Sequence, residues 1–228
     1  MLNPDTVIYA LLGGILPALV WLAFWLHEDY KHPEPRGLIL KTFLYGMVAV
    51  ALVLPCQKVV DSFLPGTTTT AILLWVILEE VFKFSAAYLG GLKSVEDNEP
   101  IDPIIYMITA ALGFVALENT LFIFGPLIGK DIVGSVITGN LRFIGASLLH
   151  VVSSGMVGVA FALSFYKPMA IRRMFVTLAL VSAIAFHTGF NLSIIYWGDI
   201  GVMFAFTLVW IGVISLLALF EKVKTIAR

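Results

Sequence analysis

Apolar positions along this chain neither alternate nor recur every third or fourth residue. They run together in blocks of about twenty, the length at which a helix crosses the hydrocarbon layer of a bilayer. Seven such blocks stand out, over residues 6–26, 38–56, 70–90, 103–124, 143–165, 174–197 and 201–220. The polar connectors between them are short: HEDYKHPEPRG, LPGTTTT, LKSVEDNEPID and YKPMAIRR. Residues 125–142 are glycine-rich and only moderately apolar. They read as a surface loop, a re-entrant piece or an early start of the fifth helix. The pattern predicts an all-α, polytopic transmembrane bundle of seven helices, one domain over residues 1–228.

Basic residues orient the bundle. Lys31, Arg36 and Lys41, then Lys93, then Lys167, Arg172 and Arg173, then Lys222, Lys224 and Arg228 fall on alternate connectors. The opposite side holds only Lys58, Lys130 and Arg142. Cytoplasmic loops carry the excess of lysine and arginine. The expectation is an outside N-terminus and a cytoplasmic C-terminus, which agrees with an odd number of crossings. No basic segment precedes the first block, whose nearest lysine is Lys31, so a cleavable signal peptide is not expected.

Composition strengthens this picture without changing it. The chain is 60% hydrophobic and 13% charged, and its mean hydropathy is +0.98. A soluble domain carries nearer a quarter charged residues. A net charge of −1 gives no basic face for nucleic acid. The lone Cys56 cannot form an internal disulfide and reads as a small apolar filler.

The chemistry lies inside the blocks. Glu79 and Glu80 sit side by side in the third, where each costs roughly 2.5–3.5 kcal/mol on insertion scales. At ~1.5 Å per residue, Glu79, Glu118, His150 and His187 lie roughly 14, 9, 10 and 15 Å from the outer ends of their helices. Four ionisable residues on four successive helices thus share one slab. Residues four apart share a helix face, which pairs Glu79 with Lys83, His150 with Ser154 and His187 with Asn191. Asn119 follows Glu118, and Gly113, Ser153, Gly155, Gly158 and Gly189 allow close helix approach. A single buried Glu–Lys pair is structural about as often as functional, and a lone histidine bonded to a neighbouring helix is more often structural. Their coincidence at one depth argues for a site.

The ordered motifs Glu79-Glu80-x-x-Lys83, Gly113-Phe114-x-x-x-Glu118-Asn119, Arg142 with His150-x-x-x-Ser154, and His187-x-x-x-Asn191 resemble the PrsW family of intramembrane proteases. The connector from Asp29-Tyr30 to Glu34-Pro35 looks like that family's first cytoplasmic loop. A more distant similarity links the layout to CAAX prenyl proteases and their abortive-infection relatives. Those have histidine where this chain has Glu118. The resemblance implies a multi-pass endopeptidase of a prokaryotic plasma membrane. It also implies a single-span membrane protein substrate, such as an anti-sigma factor, cut first on the extracytoplasmic side.

Peptide hydrolysis needs an activated water, a donor for the oxyanion and a proton for the leaving amine. In one scheme Glu79 is the general base, Glu80 tunes it and Lys83 orients it. His150 then positions water or protonates the amine, while His187 and Asn191 face the oxyanion. Glu118, Asn119, Arg142 and Ser154 support them. In a second scheme zinc activates the water, held by His150, His187 and Glu118 or Glu80. No H-E-x-x-H motif is present. A proton-coupled transporter, with the cluster as its relay, is the alternative from another functional class, and a polar lock in a non-catalytic scaffold is a third.

Overall fold

A computed structural model describes residues 4–30, 33–66 and 68–226. Lys31 and Arg228, both counted in the charge bias, lie outside the described residues. Every regular element among the described residues is a helix: α1 (Pro4–Glu28), α2 (Arg36–Phe63), α3 (Thr69–Ala87), α4 (Asp102–Ile128), α5 (Ile132–Leu141), α6 (Ser147–Leu163) and α7 (Met169–Val223). A π-helical turn, Tyr88–Leu92, prolongs α3, and another, Arg142–Ala146, fuses α5 to α6. The protein is a helical membrane bundle. Five stretches are long and apolar enough to cross a bilayer: α1, α2, α4, the fused Ile132–Leu163 and α7. The third block, α3, is 19 residues long and carries Glu79, Glu80 and Lys83, which dilute its apolarity.

The sixth and seventh blocks are two limbs of α7. Gly198 breaks the helix with φ 55 and ψ −133, a left-handed conformation open to glycine at little cost. The chain folds back there so tightly that a Cβ on Gly201 would lie 1.8 Å from the Ser193 carbonyl oxygen. Residues 125–142 resolve as the early start of the fifth helix. The fourth helix continues to Ile128, and the Asp131 carboxylate then caps α5 by accepting from the Gly134 N–H at 2.8 Å. Seven residues read as connector charges are inside helical segments instead: Arg36, Lys41 and Lys58 in α2, Arg142 in the π turn, and Arg172, Arg173 and Lys222 in α7.

α4 is the central post, buried around most of its circumference. It meets α2 at two glycines. A Cβ on Gly113 would lie 1.9 Å from the Phe43 carbonyl oxygen, and one on Gly46 would lie 2.1 Å from that of Ala110. This backbone contact holds α2 and α4 at a fixed spacing, and α3 packs beside α2. At the end of the bundle near the α1–α2 connector, the Tyr106 hydroxyl donates to Glu34, and Asp102 accepts from the N–H groups of Asn98 and Glu99 at 2.8 and 2.7 Å.

Burial, reinforced by Asp102 and Asp29, pushes the Glu34 carboxyl up to about 8 from its ordinary 4.5. The folded protein therefore binds a proton there that the unfolded chain releases. Stability should fall as pH rises from about 4.5 to about 8. Glu34→Gln should flatten that slope in thermal unfolding of the detergent-solubilised protein. An equal slope in the variant would remove Glu34 as its source.

Candidate active site

Three helices bring their charged residues to one buried point. Glu80 of α3 is 1% exposed and gathers three donors on one oxygen. Its Oε1 accepts from Lys83 Nζ at 2.6 Å, from Ser153 Oγ at 3.1 Å and from His187 Nδ1 at 2.7 Å. Lys83, fully buried, also donates to His150 Nδ1 at 2.9 Å and lies 5.7 Å from the centre of the Phe114 ring. The expected Glu79–Lys83 pairing is thus corrected: Lys83 serves Glu80, three residues away. Likewise Ser153, not Ser154, joins the network on α6, and the buried Ser154 hydroxyl makes no hydrogen bond among the described residues. Both pairs of positions lie on the same half of a helix, and the neighbouring helices choose between them.

Glu79 stands apart from the lysine. Its Oε1 accepts from Gln57 Nε2 of α2 at 2.9 Å, and its Oε2 lies 3.7 Å from His187 Nε2. The imidazoles of His150 and His187 meet edge to face, their centres 4.9 Å apart. One ligand atom from each of Glu79, His150 and His187 lies within 4.8 Å of the others, and all three residues are buried. The carboxylate of this group is Glu79, where the sequence reading placed Glu118 or Glu80. Glu80 instead holds the far nitrogen of His187.

Glu118 of α4 lines the other wall. Its Oε2 sits 3.3 Å from His150 Nε2 and accepts from the guanidinium of Arg142. Arg142 reaches in from the π turn, where it also donates from Nε to Asn119 Oδ1 at 2.6 Å and lies 3.8 Å from the centre of the Phe122 ring. Asn119 in turn donates to Ser147 Oγ at 3.2 Å. A π turn widens the helix by one residue and often marks a functional position. Here it aims Arg142 at the cluster.

These residues form the polar wall of a cavity of about 500 Å³ lined by Gln57, Glu79, Glu118, Arg142, His150, His187 and Asn191 among apolar side chains. Gln57 is the residue that sequence reasoning missed. It falls just past the second apolar block, and only the continuation of α2 beyond Pro55 carries it inward.

The donor set fits a divalent metal. Two imidazoles and one carboxylate with a position left open make a catalytic zinc set. His187 Nδ1 bonded to Glu80 leaves Nε2 directed at Glu79, the outer-shell arrangement that fixes a ligating histidine. Among the described residues, three glutamates, Glu79, Glu80 and Glu118, face two fixed cations, Lys83 and Arg142, which leaves negative charge for a bound cation to balance.

Comparison with known proteins agrees with this geometry. Residues 34–219 match the PrsW family intramembrane metalloproteases. The Protease PrsW of Halalkalibacterium halodurans is 27% identical over 214 residues, which cover 89% of this chain and 93% of that protein. The Protease PrsW of Shouchella clausii is 22% identical over 189 residues, 82% and 84% of the two chains. That of Geobacillus kaustophilus is 29% identical over 113 residues, about half of each (49% and 50%). No solved structure matches. The family match spans most of the chain and every residue of the buried cluster, and this protein belongs to the PrsW family of intramembrane metalloproteases.

Proposed function

We propose that the chain cuts a peptide bond of a membrane-anchored protein at the cavity bounded by Glu79, His150 and His187, with these three residues holding a divalent metal of the zinc class. The observation that carries this reading is their convergence, all buried, at the wall of a cavity of about 500 Å³. When bound, such an ion polarises the scissile carbonyl and acidifies water. The other steps fall to side chains. Glu118 is the carboxylate placed to act as base, its Oε2 3.3 Å from His150 Nε2, while Lys83 Nζ lies 2.9 Å from the other ring nitrogen, Nδ1. Glu118 then takes the proton of the attacking water and returns it to the leaving amine. Arg142 holds Glu118 in place through its guanidinium, and Asn191, on the same cavity wall, donates to the oxyanion.

The proposed substrate is a single-span membrane regulator of the anti-sigma-factor kind, cut on the extracytoplasmic side. The cavity supports this by its position. It lies toward the connectors after α2 and α4 and the turn at Gly198, away from Arg36, Lys41, Lys93, Lys167, Arg172 and Arg173. By the positive-inside rule the basic end is cytoplasmic. With α3 and both limbs of α7 counted, the proposed topology has seven crossings and an outside N-terminus. Co-expression with single-span membrane proteins encoded nearby should yield a fragment that disappears in Glu79→Gln while the variant protein accumulates normally. Undiminished cleavage by that variant would refute the assignment.

Gln57 follows as a positioning residue for Glu79. Gln57→Leu should lower metal affinity about 10–100-fold, the usual cost of losing an outer-shell partner. Titration of the metal-stripped protein measures it, and Gln57→Glu separates loss of the hydrogen bond from loss of volume.

A further inference from the structure

A second pocket, of about 460 Å³, lies at the opposite end of the bundle from the candidate active site. It is built by the far ends of the three helices that supply Glu79, His150 and His187: the close of α3 with its π turn, the end of α6 and the start of α7. Its floor is aromatic, Phe84 and Phe161 stacking 6.2 Å apart with planes 14° from parallel. Its rim is basic, with Lys93, Arg172 and Arg173 against the single acid Asp97. Arg172 donates to the Phe165 carbonyl oxygen, yet its Nε is buried and makes no hydrogen bond among the described residues. Asp97 Oδ1 is buried and equally unbonded, so the same wall presents one spare donor and one spare acceptor.

An apolar floor beneath a net-positive rim, at the level where helices leave the bilayer, is complementary to an amphiphile with a phosphate at its head. The spare Asp97 oxygen calls in addition for a donor on that head, such as a hydroxyl.

We propose that this pocket binds an anionic phospholipid with a hydroxylated headgroup, of the phosphatidylglycerol type. Lys93, Arg172 and Arg173 hold the phosphate, Asp97 accepts from the headgroup hydroxyl, and the glycerol-proximal acyl carbons lie on Phe84 and Phe161. The lipid would tie together the distal ends of all three metal-binding helices.

The test is native mass spectrometry of the full chain released from phosphatidylcholine vesicles containing a minor fraction of phosphatidylglycerol. Wild type should retain phosphatidylglycerol selectively. The double variant Lys93→Gln/Arg173→Gln changes two exposed side chains and leaves Arg172 in its fold-supporting contact. It should lose retention about tenfold or more, the scale of two basic contacts with an anionic surface. Asp97→Asn should narrow the preference for phosphatidylglycerol over phosphatidic acid, which lacks the hydroxyl. Equal retention by wild type and the double variant, with both proteins melting alike, would overturn the proposal. So would displacement of the lipid by soluble glycerol phosphate, which would put a water-soluble phosphate ester in the pocket instead.

Discussion

Lys83→Met should be the most destabilising single substitution in the bundle, costing about 3–5 kcal/mol, the range for stranding one partner of a buried ion pair. Lys83 is fully buried and Glu80 is 1% exposed, so no water can replace the lost ammonium. Glu80 would keep Ser153 and His187 as donors, but its charge would have no fixed cation beside it. Methionine matches the volume and apolar reach of the lysine stem, which keeps the effect electrostatic rather than steric. A rescue is therefore expected. Glu80→Gln in the Lys83→Met background should recover most of the loss, because a neutral pair of that shape needs no counter-charge. Unfolding in detergent measures both, and additive losses in the double variant would show that the pair is not what holds the site together.

His187→Ala should have the largest catalytic effect, about a thousandfold or more, because the histidine is both a ligand of the proposed metal and the bridge to Glu80. The comparator is Glu80→Gln, which leaves His187 in place and weakens its outer support, for about 10–100-fold in activity per folded protein; it also strands Lys83 and so lowers stability. The difference between the two is diagnostic. A scaffold whose polar cluster merely locks the helices would show both variants falling together, in step with stability. A metal centre separates them, because His187→Ala removes a ligand and Glu80→Gln only loosens one. Both are read as cleavage of a co-reconstituted membrane substrate, normalised to folded protein.

How much of this was legible in the sequence depends on which decision is asked for. Block length carried the helices, because a bilayer demands about twenty apolar residues wherever the chain crosses. The common depth of Glu79, Glu118, His150 and His187 carried their convergence. Helical spacing alone could not choose between neighbours at three and four residues. Lys83 is four from Glu79 and three from Glu80, and the position of α6 and α7 decides for Glu80. The same ambiguity exchanged Ser154 for Ser153. Gln57 was out of reach because Pro55 and a polar run read as the end of the second helix, whereas α2 continues to Phe63. The fused α5–α6 stretch was equivocal for a different reason: its glycines and moderate apolarity suit a loop, and Asp131 caps a helix there only because the chain turns at Lys130, φ 59. The two catalytic schemes left open by composition are now unequal. The carboxylate among the histidines is Glu79, and family membership favours the metal. The same membership, that of a peptidase family, decides against the carrier.

The most direct test of the central claim is metal analysis of the purified protein beside two variants. Wild type should carry one divalent ion per chain. His187→Ala and Glu79→Gln should carry none while keeping the wild-type helical signal, and chelation should abolish cleavage until zinc is returned. Active protein without a stoichiometric metal, cleaving at full rate in chelator, would contradict the account and return Glu79 to the role of a base acting on water alone.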